Sequence, residues 1–202
     1  AALLGRRVAG CDINPLSLVL CGARLAPPRL DDVRARLAAI SFDAPADAPE
    51  ELLTFYHPCT LAQIAALRQH LLAQPQLDAV DRWIQMVAVN RLTGHSPGFF
   101  SVYTLPPNQA VSVKSQRKIN ERRQQVPPVR DVPAIILKKS KQLLSEVTTR
   151  DRENLVRVAD AALLLSMRQE CEAFFEAMLR EDRALDEFID ADFAFVDERL
   201  AK

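Results

Sequence analysis

The sequence predicts a mainly α-helical protein with few strands and an incomplete sheet, the remnant of an open α/β fold. Three observations carry this reading. Most of the 202 residues lie in segments whose apolar side chains recur at helical spacing. Only residues 8–13 and 99–104 read as extended. The first of these is short, apolar and closed by Asn14-Pro15, as a buried parallel strand would be.

Taken in order, Gly5 is suited to close a short helix, and Val8 to Ile13 follow as the strand. Pro15 then opens a helix with Leu16, Val19, Leu20 and Ala23 on its apolar face. Pro27-Pro28 ends it, residues 30–40 form a second short helix, and residues 41–53 are a Pro/Ala/acidic loop. Thr60 is the expected cap of a helix through Leu72, and Asp78 of one through Leu92 with Gly94 as its stop. Residues 93–109 are the least helical stretch, a short strand or an extended loop. Helix returns at 109–124 with a basic face, Pro127, Pro128 and Pro133 break it, and Ala134 to Val147 forms another. Residues 150–180 form one long helix or two.

Composition excludes several classes. With 49% hydrophobic and 26% charged residues the chain is of ordinary globular type, and five glycines with thirteen prolines exclude collagen and low complexity. The longest apolar runs, such as Ala134 to Leu137, are far below the roughly 20 residues of a membrane span, so no membrane partner is expected. Cys11, Cys21, Cys59 and Cys171 form no CxxC pair, which suits a reducing cytoplasm. His57-Pro58-Cys59 lacks a second ligand cluster, so no metal is expected. The chain opens on Ala and reads as a fragment.

The net charge of zero conceals an asymmetry. Residues 114–141 hold nine basic and two acidic side chains, whereas residues 166–202 hold five and eleven. The basic segment suits a polyanion such as nucleic acid, or is a solvated helix face. Asp12 lies at the carboxyl end of the expected strand, the edge at which open α/β sheets bind ligands. A carboxylate there accepts hydrogen bonds from the ribose of a nucleoside cofactor; the alternative is that it caps the next helix.

These residues resemble a known family. Leu4 to Pro15 is similar to the second-strand region of bacterial DNA amino-methyltransferases, which methylate exocyclic amines of adenine or cytosine with S-adenosylmethionine. Residues 83–131 look like a segment inserted in one branch of those enzymes, above all Leu92 to Val111, Ser115 to Asn120 and Pro127 to Val132. The likeness reaches about Leu165. It implies a Rossmann-like α/β methyltransferase fold, of which residues 1–29 would be a partial cofactor-binding segment and 30–165 a helical insertion. Asp12 matches the ribose-binding acid, with Ile13, Asn14 and Pro15 shaping the adenosine pocket. The family's glycine-rich cofactor loop would precede Ala1, and its base-gripping Pro-Pro-aromatic turn is expected beyond residue 165. Leu105-Pro106-Pro107-Asn108 imitates that turn but has neither its polar first residue nor its aromatic last one. No catalytic residue is therefore assigned, and the piece is expected to be inactive. The partner implied is DNA. Lys114, Arg117, Lys118, Arg122, Arg123 and Arg130 would touch phosphates, and Gln116, Asn120 and Gln124 would read base edges or face solvent. Phe99, Phe100 and Tyr103 are candidates to stack on a base, whereas Trp83 is placed in the core by its apolar helical neighbours.

From about Ser166 the character changes. Met167 to Lys202, acidic and phenylalanine-bearing, resembles a domain of unknown function in planctomycete proteins that often accompany cytochrome c modules. The sequence carries no CxxCH haem attachment. Two families in one chain predict a join near residue 165, natural or artefactual.

Overall fold

The structure, a computed structural model, describes residues 2–6, 16–42, 49–105 and 111–158, with Ala173 and Glu176. Among these residues it is mainly helical, as the sequence predicts. The helices are α1 (Leu16–Leu25), α2 (Leu30–Ala39), α3 (Pro58–Ala73), α4 (Ala79–Val89), α5 (Val113–Arg123), α6 (Val132–Leu144) and α7 (Thr149–Val158). Short 3₁₀ turns cover Ala2–Leu4 and Glu50–Thr54. No strand occurs among the described residues. The run 99–104 is the extended loop of the two alternatives, tied by one isolated bridge between Gly94 and Tyr103. The expected strand at 8–13 lies outside the described residues, and so no Rossmann-like remnant is shown.

The chain divides into two compact units. One comprises the described parts of Ala1–Ala26 and Val147–Lys202. Within it α7 packs on the Ala2–Leu4 turn and on α1. Gly5 closes that turn at φ +68°, a left-handed backbone that favours glycine, and its N–H donates to the Ala2 carbonyl at 2.8 Å. Asn154 Nδ2 donates to Leu3 O at 2.9 Å, which fixes α7 to it. A reciprocal cap starts α7: the Thr148 hydroxyl accepts from Asp151 N–H, and the Asp151 carboxylate accepts from Thr148 N–H. The Thr148 hydroxyl also donates to the Asp151 carboxylate at 2.6 Å, and this bond first, then the one from Thr148 N–H, holds the Asp151 carboxyl below its usual range.

The other unit is Pro27–Glu146. Its centre is a helical layer in which α2, α4 and α6 pack pairwise and α3 lies on α6. Val33 and Leu37 of α2, spaced four apart, share the buried face. Ile84 and Val87 of α4 and Val132 and Ile136 of α6 meet them at 0–1% exposure. Each such side chain contributes about 1.5–3 kcal/mol by leaving water. Trp83 is buried here as expected, and its indole N–H donates to Ser140 Oγ at 3.0 Å, so the polar end of the ring is satisfied inside the core.

Several helix starts differ from expectation. Asp78 does cap α4, accepting from Asp81 N–H at 2.8 Å. At α3 the cap is His57, whose Nδ1 accepts from Cys59 N–H, with Pro58 in the first turn. Thr60 sits inside the helix, 0% exposed. Pro133 begins a helix rather than breaking one: Asp131 caps α6 through Ala134 N–H, and proline fits the first turn because that N–H has no helical partner. Helix α4 stops at Val89, before Gly94, which belongs to the loop beyond. Among the described residues no helix is long and apolar enough to cross a membrane.

Candidate functional site

Helix α5 carries most of the basic segment. Ser112 caps it by accepting from Ser115 N–H at 3.2 Å. It ends at Gln124, held left-handed at φ 47°, and the Gln125 N–H closes back on the Asn120 carbonyl at 3.0 Å. One face of the helix is buried. Gln116, 0% exposed, donates from Nε2 to the Tyr103 carbonyl at 2.9 Å and to Asn120 Oδ1 at 2.8 Å. Asn120 Nδ2 donates to the Thr54 carbonyl at 2.8 Å. Gln125 Nε2 adds bonds to Tyr103 O at 3.1 Å and Asn120 Oδ1 at 2.7 Å.

Gln116 and Asn120 are therefore neither base readers nor a solvated face. Their four-residue spacing does put them on one side of α5, but that side meets irregular backbone. The Thr54 carbonyl ends the Glu50–Thr54 turn and the Tyr103 carbonyl lies in the loop; both need donors, and primary amides supply them. Gln124 forms the helix end instead of extending that row.

The opposite face carries Lys114, Lys118 and Arg122, with Arg117 at its flank, while Arg123 lies on the amide side, three residues after Asn120 and seven after Gln116. Lys114, Arg117, Lys118, Arg122 and Arg123 are all exposed. Among the described residues none of them is in an ion pair; the ion pairs there join Arg34, Arg36 and His70 to Asp31, Asp78 and Asp81. The Arg123 guanidinium rests 3.8 Å above the Tyr103 ring, a cation–π contact that occupies one face of that ring. Arg130 lies apart, on the segment between α5 and α6, and is half-buried. Its N–H donates to Thr60 Oγ1 at 2.7 Å, and the Thr60 hydroxyl donates back to Arg130 O at 3.0 Å. Its Nε is buried without a partner.

The loop from Arg91 to Leu105 supports α5. Phe100 N–H donates to Arg91 O, Val102 N–H to Phe55 O, and Thr104 N–H to Gly94 O, at 2.8, 2.8 and 3.0 Å. The Tyr56 hydroxyl, inside the core, donates to the Leu92 carbonyl at 3.1 Å, and burial pushes its pKa up to about 12. Gly94 is required sterically: a Cβ there would lie 2.5 Å from the Phe99 ring. Phe99 in turn lies under Arg91, and Phe100 is 1% exposed. These two aromatics are thus packed within the protein and are not free to stack on a base.

The loop and the segment 125–130 enclose a cleft of about 260 Å³, lined among others by His95, Ser96, Ser101, Tyr103, Gln125 and Arg130. Among the described residues no group of three His, Cys, Asp or Glu side chains is placed to hold a metal.

Sequence reasoning missed a second polar cluster. Asp81, 2% exposed, is bonded by Arg36 and lies 3.3 Å from His70 Nε2, while Arg36 also reaches Asp78 at 2.7 Å. The hydrogen bonds to Asp78 and Asp81 raise the Arg36 pKa. Burial pushes the Asp78 carboxyl up, but the cap bond from Asp81 N–H and the Arg36 guanidinium outweigh it, and its pKa is lowered. The signal available in sequence was Asp81 three residues after a capping aspartate.

The expected cofactor residues Asp12, Ile13, Asn14 and Pro15 lie outside the described residues, as does the Pro106-Pro107-Asn108 portion of the look-alike turn. A family model described as PSD4, protein of unknown function (DUF1592), matches residues 136–202. This agrees with the likeness noted for the acidic tail, and the match begins earlier, inside α6. No curated protein and no solved structure matches the chain, and nothing in these comparisons supports a DNA methyltransferase.

Proposed function

We propose that Pro27–Glu146 is a nucleic-acid-binding helical module that grips phosphates through the exposed face of α5. The observation that carries this is that the exposed cations Lys114, Arg117, Lys118 and Arg122 have no acidic partner among the described residues, while the amide face anchors the helix to its loop. A cation without a carboxylate is available to replace the counterions of a polyanion, and binding by such contacts weakens steeply with salt. The resemblance of residues 1–165 to DNA amino-methyltransferases makes duplex DNA the partner to test, in a cytoplasmic setting. In an intact parent, S-adenosylmethionine would supply the methyl group and Asp12, with Ile13 to Pro15, would hold it. No step is assigned to those residues here, and this module contributes contact rather than catalysis. No activity is assigned to residues 136–202.

The test is fluorescence anisotropy of labelled duplex DNA against salt concentration. The log–log slope should be steep in the wild-type chain. Lys118→Gln with Arg122→Gln, one turn apart on the exposed face, should weaken binding and flatten the slope by roughly one per cation removed. Absence of binding at low salt, or an unchanged slope in the double variant, overturns the reading.

A further inference from the structure

The segment between α5 and α6, Gln125 to Asp131, has a backbone that its own chemistry dictates. The rings of Pro127 and Pro128 fix φ at about −65°, and each proline keeps the residue before it, Val126 and Pro127, out of the helical region. Such a run is a short polyproline-II helix, with about three residues per turn. Three edges follow: Gln125 with Pro128, Pro127 with Arg130, and Val126 with Val129. Burial agrees with this register. Gln125, Pro127, Pro128 and Arg130 are half-buried, whereas Val126 and Val129 are 81% and 62% exposed. The segment is clamped at both ends. Gln125 N–H donates to Asn120 O at 3.0 Å, Thr60 bonds both the N–H and the carbonyl of Arg130, and Val132 N–H donates to Gln63 Oε1 at 2.9 Å. Between the clamps no hydrogen bond involves Val126 to Val129 among the described residues, so their carbonyls are unused acceptors.

We infer that this ridge docks in the aromatic-lined, acidic-rimmed groove of a partner protein. Isolated exposed valines need no explanation, but two on one edge of a fixed ridge form an apolar strip. Grooves that read polyproline II are walled by aromatic rings, which take the apolar edge, and their hydroxyl and indole N–H groups donate to free carbonyls of the ligand. The ridge offers both. Its clamped ends also remove much of the ordering cost that a flexible proline-rich peptide meets on binding. Charge defines the rim. Arg122 and Arg123 lie just before the ridge, exposed and in no ion pair among the described residues, while Asp131 at its far end is occupied in capping α6. A groove edged with carboxylates complements that arrangement.

The experiment adds the full chain to a panel of purified SH3, WW and EVH1 domains, which read polyproline II through aromatic grooves. The groove resonances of each domain are followed by NMR. At least one domain with an acidic rim should show shifts confined to its groove. Val126→Ser with Val129→Ser should weaken that binding about tenfold, the effect of losing one buried valine side chain or more. Both valines are exposed, so the double variant should melt as the wild type does. Pro127→Ala with Pro128→Ala keeps the valines but frees the backbone, and should weaken binding several-fold. Absence of groove shifts across the whole panel overturns the inference, and so does an affinity unchanged in the valine variant. Two other occupants are told apart with the same variant. If it loses duplex DNA binding by anisotropy, the ridge belongs to a nucleic-acid contact. If it turns a dimer into a monomer in sedimentation, a second copy covers the ridge. Either result overturns the partner-protein groove.

Discussion

The α2–α4 junction and the exposed face of α5 use charge in opposite ways. At the junction Arg36 bonds both Asp78 and Asp81, and the His70 ring approaches Asp81 from α3. On α5 five exposed cations make no ion pair among the described residues, and one of them, Arg123, rests on the Tyr103 ring. Charges of the first kind hold helices in register, because a buried carboxylate tolerates little displacement from its donors. Charges of the second kind add little to folding. The concentration of Lys114, Lys118 and Arg122 on the side away from the amides that fasten the helix is what distinguishes α5 from the rest of the unit.

The strongest way to break this comparison is substitution within each region. Asp81→Asn should destabilise the protein by about 1–3 kcal/mol, since Arg36 keeps Asp78 but the buried carboxylate that it and Asp78 hold in register is lost. Lys118→Gln with Arg122→Gln should stay within about 0.5 kcal/mol of the wild type. Urea denaturation of both decides it. Equal losses would mean that the α5 cations serve stability and that the contrast is false.

Alkaline titration tests the loop on which α5 leans. The Tyr56 hydroxyl has an ordinary pKa of 10.0 and one of about 12 in the fold. The unfolded chain therefore loses this proton first, and the folded state binds more protons between those values. The contribution is present in full below pH 10 and is lost as pH rises toward 12, by up to about 3 kcal/mol. Denaturant melts at pH 9 and 11.5 on the wild type and Tyr56→Phe should show a steeper fall in the wild type. Parallel curves would remove Tyr56 as the brace of the Leu92 carbonyl.

These regions differ in legibility as well as in use. The Asp78 cap and the burial of Trp83 were readable, because each depends on neighbours within one or two helical turns. The basic face of α5 was readable for the same reason. The Thr60–Arg130 clamp was not, and Thr60 read instead as a helix cap, because its partner is set by how α3 meets the segment before α6. Gln116 and Asn120 show the same limit. Their spacing is local information, but whether that side meets solvent, DNA or loop carbonyls is decided by tertiary packing. Pro133 was misread because proline has two local meanings, helix breaker and first-turn residue, and the capping Asp131 two positions earlier selects the second.

A smaller effect is expected at Asp78, which belongs to both the cap of α4 and the ion-pair cluster. Asp78→Ala should cost about 1–2 kcal/mol, of the size of a lost helix cap. Its carboxyl titrates below the ordinary value of 3.8 in the fold. The stabilisation is therefore present above that value and is lost as pH falls through the lower, folded pKa. Acid melts should show the Asp78→Ala variant converging on the wild type below about pH 4. A constant gap down to pH 2 would assign the loss to packing rather than to charge.

The smallest effect is at the end of α5, and it links the two regions. Gln124 holds a left-handed backbone at φ 47°, where a side chain costs about 1 kcal/mol and glycine costs none. The residue is exposed, so its side chain offers little compensating packing. Gln124→Gly should therefore stabilise the protein by up to about 1 kcal/mol, less what glycine's greater freedom costs in the unfolded chain. The helix stop would then be better defined, and Gln125 would stay bonded to Tyr103 and Asn120. The α5 cations are untouched by this change, so DNA affinity and its salt slope should remain as in the wild type. A gain in stability with unchanged binding would separate the anchored face from the cationic one within a single helix. A loss of binding would show instead that the backbone beyond Arg123 takes part in the contact.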